Sequence, residues 1–290
     1  MRTLDLDALQ IFKAVADHGG VTKAAAQLHR VQSNVTTRVK QLEERLGTRL
    51  FLRHSRKLVL SPEGELLLAY ANRLLRLSSE AEAAVRSGAP RGTLRIGALE
   101  STSATRLPPI LARFHSTYPE VQIELTTGTT GALISKVLKY DVEAAFVAEP
   151  FTAYGLESQP AFSEELVLIA PKSSPSFKSA KDLAHATLIA FSTGCSYRRR
   201  LEEWLSLADV APDRVMEFGS YHAIVACVAA GSGVAFVPRS VVRVLHAEGD
   251  VSCTPLPSRI AKTRTHLAWR EGHRSIALDA LRRELSREKR

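Results

Sequence analysis

Several things are scarce in this 290-residue chain. No apolar run approaches the ~20 residues that a bilayer-spanning helix needs, so no membrane segment is expected. Cysteines occur only at 195, 227 and 253, with no CxxC pair. That spacing excludes a disulfide framework and a thiolate metal finger, and it favours a reducing cytoplasm. The opening MRTLDLDAL carries two aspartates and no continuous apolar core, unlike a secretion signal. There is no GxSxG elbow, GxGxxG turn, GxxxxGK loop or HExxH pair. Hydrolase, nucleotide-dependent and zinc-peptidase readings therefore lose their sequence basis, and neither a catalytic constellation nor a cofactor is expected.

Acidic residues are also short, 30 against 39 Lys and Arg, for a net charge of +9. The surplus sits at the two ends. Residues 1–60 hold 11 basic and 5 acidic side chains, and residues 257–290 hold 10 and 4. A polyanion partner at the N-terminal end is the natural reading; the C-terminal end also reads as a solvated helix.

What is present begins with helices. Leu6, Leu9, Phe12 and Val15 recur at helical spacing and His18-Gly19-Gly20 ends the run. Thr22 is placed as the cap of a short helix, KAAAQLH. A third helix follows, in which Val35, Val39, Leu42 and Leu46 form one stripe and Gly47 stands at the end. The opposite face shows Ser33, Asn34, Thr37, Lys40 and Gln41, with Thr36 and Arg38 on its flanks. Short hydroxyl and amide groups let a helix backbone approach base edges, and cations attract phosphates. Helix, tight turn and such a helix make a DNA-reading pattern, with Gln32, Ser33, Asn34, Thr36, Thr37, Arg38 and Lys40 as candidate contacts. The segment FLRHSRKLVL adds a hairpin with a cationic tip, a wing from which Arg53, Arg56 and Lys57 face a DNA backbone.

Ser61 then caps a long helix that opens on Pro62 and reaches about Val85. Its seam of Leu67, Tyr70, Ala71, Leu74, Leu77, Ala81, Ala84 and Val85 is expected to pair with a second copy. A linker spans 88–92. Beyond it, strands at 93–99, 121–128, 144–148, 165–171, 187–191, 215–219, 233–238 and 266–270 alternate with helices, which predicts a parallel sheet in two small α/β lobes.

Polar residues cluster where strands run into helices: Glu100, Ser101 and Thr102; Thr129 and Thr130; Cys195, Ser196 and Tyr197; Tyr221 and His222. Ligands of open α/β sheets lie at strand C-terminal ends, and helix N-termini favour anions. These ten residues are therefore candidate contacts for a small polar effector in an interlobe cleft, with a carboxylate group one option. Beside three arginines, Cys195 is open to an activated thiol, although a plain packing role is favoured.

Together the segments LDALQIFKAVADHGGVTKAAAQLHRVQSNVTTRVKQLEERLGTRLF and SPEGE resemble the LysR-type transcriptional regulators, over the whole chain. LESTSATRLPP, TTGTTGAL, GCSYRRRLEEW and GSYHAIVACVAAG look like the YofA/PtrR-like subgroup. The resemblance implies an α-rich winged helix-turn-helix over 1–61, a linker and dimerisation helix over 62–87, and a two-lobed periplasmic-binding-protein-like (type 2) effector domain over 93–290. Lobe I would hold 93–163 and 267–290, and lobe II 164–266, with hinges near 161–165 and 264–268. It also implies a homodimer or homotetramer on double-stranded promoter DNA, with RNA polymerase as a further partner. The reading helix departs from the commoner V-S-Q-P-A-V-S-R-Q-I. Val31, Ser33 and Asn34 replace Ser, Pro and Ala, and Thr37-Arg38 replaces Arg-Gln, so the usual Ser and Arg contacts do not carry over. The rival readings are an enzyme with an accessory DNA-like domain and a ligand-independent architectural DNA protein.

Overall fold

A computed structural model describes residues 4–54, 57–85, 88–175 and 177–287. The chain separates into two compact units, Met1–Ser87 and Gly88–Arg290.

The first unit opens with α1 (Leu6–His18), α2 (Val21–Gln27) and α3 (Gln32–Leu46). Asp5 caps α1 by accepting from the Asp7 N–H, and Gly19 closes it in the left-handed region at φ 66°. The α2 cap differs from expectation. The helix begins at Val21, with Gly20 as its cap and no side-chain cap bond, so Thr22 already lies inside it. α3 ends as its sequence requires, on Gly47 at φ 67°. Strands β1 (Phe51–His54) and β2 (Lys57–Leu60) pair antiparallel, Phe51 opposite Leu60. α4 runs over Pro62–Val85. Ser61 caps it, accepting from the Gly64 N–H at 2.9 Å while donating to the Arg49 carbonyl at 2.7 Å.

Leu9, Phe12, Val15, Val35, Val39, Leu42, Leu50, Phe51 and Ala71 make the core of this unit. Each large side chain buried there contributes about 1.5–3 kcal/mol. Leu46 does not belong to the buried stripe: it is 39% exposed, because the helix turns its last residue away from the packed side. The α4 seam divides. Ala71 is buried in this core and Leu67, Leu68 and Leu75 pack against it, whereas Leu66, Tyr70, Leu74 and Leu77 face outward.

The second unit comprises β3 (Gly92–Ala98), α5 (Glu100–Thr105), α6 (Leu107–Thr117), β4 (Val121–Thr127), α7 (Thr130–Leu138), β5 (Ala144–Ala148), β6 (Leu156–Pro171), β7 (Thr187–Phe191), α8 (Ser196–Ser206), β8 (Arg214–Phe218), α9 (Tyr221–Ala229), β9 (Ala235–Pro238), α10 (Arg239–Val244), β10 (Val251–Pro255), α11 (Ser258–Ala261), β11 (Lys262–Arg270) and α12 (Ile276–Arg287). Gly92, expected in the linker, is the first residue of β3.

The sheet is mixed rather than parallel. β3 pairs in parallel with β4 and β5, but β11 enters antiparallel between β5 and β6. β6 has 16 residues and serves both lobes. Leu156–Glu165 pair with β11, and Leu166–Pro171 pair with β9 and β10. The β6–β11 register shifts between Thr265 and His266. β7 and β8 complete the second lobe in parallel, with a bridge from Leu188 to Val234. The close approach there requires Gly233, since a Cβ would stand 2.2 Å from the Thr187 carbonyl oxygen. Leu94, Ile96, Phe114, Phe146 and Leu281 fill one lobe, and Leu168, Leu188, Leu201 and Phe236 the other. A further cluster, including Leu133, Val147, Tyr197, Tyr221 and Val237, runs across both.

Candidate DNA-reading face and effector cleft

The burial of α3 follows its helical period. Val35, Val39 and Leu42 are buried, and Gln32, Ser33, Asn34, Thr36, Thr37, Arg38, Lys40 and Gln41 are all exposed. Thr36 donates its hydroxyl to the Gln32 carbonyl at 2.9 Å, and Lys40 stands 3.7 Å from Glu44. A surface pair of that kind is worth little and yields readily to a phosphate. Arg30 forks onto Asp7 at 2.6 and 3.1 Å, tying the turn before α3 to α1 and holding the Asp7 carboxyl below the usual carboxylate range. Nothing in the local sequence singles out Glu43. Its Oε1 accepts from the N–H groups of Leu50 (2.8 Å) and Phe51 (3.2 Å), so the reading helix holds the first strand of the wing. Arg53 and Lys57 occupy the wing strands, while Arg56 lies outside the described residues.

In the second unit, four strand-to-helix turns converge. Leu99, Glu100, Ser101, Gly128, Thr129, Ala148, Phe191, Cys195, Ser196, Tyr197 and Tyr221 surround a narrow space of about 10 Å³ between the lobes. Eight of the ten effector candidates thus come within one cluster: seven line the space, and Thr130 is tied to one of those seven. The Ser196 hydroxyl donates to Thr130 Oγ1 at 2.9 Å and reaches the Ala148 carbonyl at 3.0 Å; Thr130 Oγ1 accepts from the Ala148 N–H at 3.3 Å. Thr129 caps α7, accepting from the Ala132 N–H. Two candidates lie elsewhere. Thr102 is buried off the lining, because α5 turns it inward, and its hydroxyl has no partner among the described residues. His222 is exposed, one residue past the lining, as α9 carries it outward.

Electrostatics refine the picture. Glu100 faces the start of α9, with the Tyr221 N–H against its carboxylate and His222 nearby. Burial outweighs both and raises its pKa. Its Oε2 is shielded and unpartnered. The anion that the α9 N-terminus would be expected to draw is thus a side chain of the other lobe. The Phe191 and Tyr221 rings stack at 4.9 Å. The Tyr197 hydroxyl lies beside Ser101 and Thr265 without a well-formed hydrogen bond, and burial together with the Glu164 charge drives it far above the ordinary phenol range. Cys195 reverses the activated-thiol option: it is 6% exposed and burial pushes its thiol up, over the smaller opposing effect of Arg198. Arg198 itself is engaged by Glu202 (2.7 Å) and Glu217 (2.5 Å) and faces a neighbouring outer cavity.

The model of the bacterial regulatory helix-turn-helix protein, lysR family, matches residues 6–65, and that of the LysR substrate binding domain matches residues 87–290. The chain belongs to the LysR family. It is 45% identical over 264 residues to the HTH-type transcriptional regulator YusT of Bacillus subtilis, covering 91% of this chain and 88% of YusT. It is 42% identical to YofA of Bacillus velezensis, covering 87% and 86% of the two chains. Among solved structures, it resembles a full-length OxyR variant of Pseudomonas aeruginosa (TM-score 0.76, 22% identity, 98% and 95% coverage). Full-length CbnR in complex with target DNA gives a TM-score of 0.71, with 23% identity and coverage of 98% and 99%. As a LysR-family chain, this protein is a DNA-binding transcriptional regulator and not an enzyme. Among the described residues, no helix is long and apolar enough to cross a membrane.

Proposed function

We propose that this LysR-family regulator binds promoter DNA through α3 and the wing, and that a small polar effector in the interlobe cleft changes how it binds. The observation that carries the effector reading is the cleft itself. Side chains from four separated strand ends of both lobes surround one small space. Such convergence is the usual form of a ligand site in an open α/β sheet. The lobes would be 93–163 with 267–290, and 164–266, and the two strands crossing between them, β6 and β11, leave room for one lobe to move against the other. A ligand shifts that equilibrium only by its preference for one state. The exposed α4 stripe supports assembly as a dimer or a dimer of dimers, as in the family resemblance. DNA contact is assigned to Gln32, Ser33, Asn34, Thr36, Thr37, Arg38 and Lys40, with Arg53, Arg56 and Lys57 from the wing.

The test is a metabolite library screened by thermal shift on the full chain. Hits should alter the footprint of the protein on genomic fragments that it selects. A library that leaves both melting and footprint unmoved would favour a ligand-independent architectural role.

A further inference from the structure

We infer that Glu100 makes this cleft a receptor for a ligand bearing a protonated amine. This deepens the effector reading above and rests on it. The carboxylate is the only formally charged group in the lining, which holds no Lys, Arg or His among the described residues. One side of it meets the Tyr221 N–H, while Oε2 is shielded and has no hydrogen-bond partner. An unpartnered carboxylate oxygen in a space walled by Leu99, Ala148 and Phe191 is costly, and an ammonium group would remove that cost by a charge-assisted hydrogen bond. A ligand with only carboxylates would meet repulsion from Glu100 at close range.

Two alternatives to an amine fail on the residues. A metal ion would need further ligands, and no group of three His, Cys, Asp or Glu side chains is gathered among the described residues. Of the two basic residues that adjoin the lining, Arg198 is held by Glu202 and Glu217, while His222 is exposed and, although its charge acts on Glu100, leaves Oε2 without a hydrogen bond.

The experiment measures binding to the full chain by calorimetry. The probes are n-butylamine, leucine and 4-aminobutyrate, matched against butyrate, 4-methylvalerate and succinate. The expected result is that at least one amine binds tenfold or more tightly than its matched acid. Glu100→Gln should abolish that preference and Glu100→Asp should retain part of it, with both variants melting as the parent does. Three results would overturn the assignment: acids that bind as well as the amines, Glu100→Gln with unchanged amine affinity, or no amine binding. Acid binding without amine binding would leave the effector cleft standing and remove only the charge assignment. If no probe binds and the metabolite library also fails, both readings fall.

Discussion

The Ser196 hydroxyl donates to Thr130 Oγ1 at 2.9 Å, and the two residues start helices of opposite lobes. Both are nearly solvent-free, and the Ala148 backbone completes the group. The pair therefore works as a clasp between lobes rather than as two free ligand contacts. Either residue alone changed to alanine leaves its partner's buried hydroxyl with a poorer bond, at a cost of about 1–2 kcal/mol. The double variant should cost less than the sum of the two singles, a coupling that urea unfolding measures. Strict additivity would mean that the two hydroxyls act independently.

On α3, two substitutions should separate two kinds of contact. Lys40→Ala should weaken binding to every duplex alike and lower the salt slope by about one. Asn34→Ala should cost about 1–3 kcal/mol on the preferred site and flatten the preference at one base pair. Titrations on selected and random duplexes at several salt concentrations distinguish them. Equal losses on both duplexes for Asn34→Ala would move that side chain off the base edges.

The outward stripe of α4 gives a third test. Leu66, Tyr70, Leu74 and Leu77 recur at steps of four, four and three residues, while Ala71 closes the winged core on the other side. A mean step of about 3.7 residues keeps all four on one helical face, which suits a partner helix. Leu74→Glu with Leu77→Glu should shift the protein to a smaller species in sedimentation velocity while its circular dichroism is kept. An unchanged assembly would place the interface elsewhere.

How far the structure is readable in the sequence depends on the range of the signal. α3 is legible because its stripe, its glycine stop and its polar face repeat within single helical turns. The positions around the cleft are legible as strand-to-helix turns. Their pairings are not: Thr130 and Ser196 are separated by 66 residues, and nothing local couples them. His222 has no acid beside it in sequence, yet Glu100 of the other lobe lies near it. The antiparallel course of β11 escapes the alternation of strands and helices, since that alternation does not encode direction. Thr22 misleads because a threonine is a common cap, while here a glycine precedes the first turn.

The Cys195 thiol provides a fourth check, in which sign matters. Its raised pKa leaves less thiolate at neutral pH than an exposed cysteine holds. Labelling of the native chain by iodoacetamide, read by peptide mass spectrometry, should be slower at Cys195 than in the unfolded chain. The rate should go on climbing as pH is taken above the ordinary thiol range, where an exposed cysteine has already levelled off. Labelling at the unfolded rate at neutral pH would contradict the burial.

Gly64 is the position where local preference and tertiary packing disagree. It lies within α4, where alanine is normally better by about 1 kcal/mol. Yet a Cβ there would stand 2.1 Å from the Leu50 carbonyl oxygen and 3.0 Å from Leu60 Cδ2. The carbonyl cannot swing aside, because it already accepts from the Ser61 N–H at 2.9 Å, and Glu43 holds the Leu50 N–H from the other side. Gly64→Ala must therefore push α4 away from the turn that joins the reading helix to the wing. The expected loss is about 1–3 kcal/mol of stability in the winged unit, seen in urea unfolding, with weaker DNA binding. A neutral or stabilising outcome would show that α4 stands farther from Leu50 than described, and with it the wing.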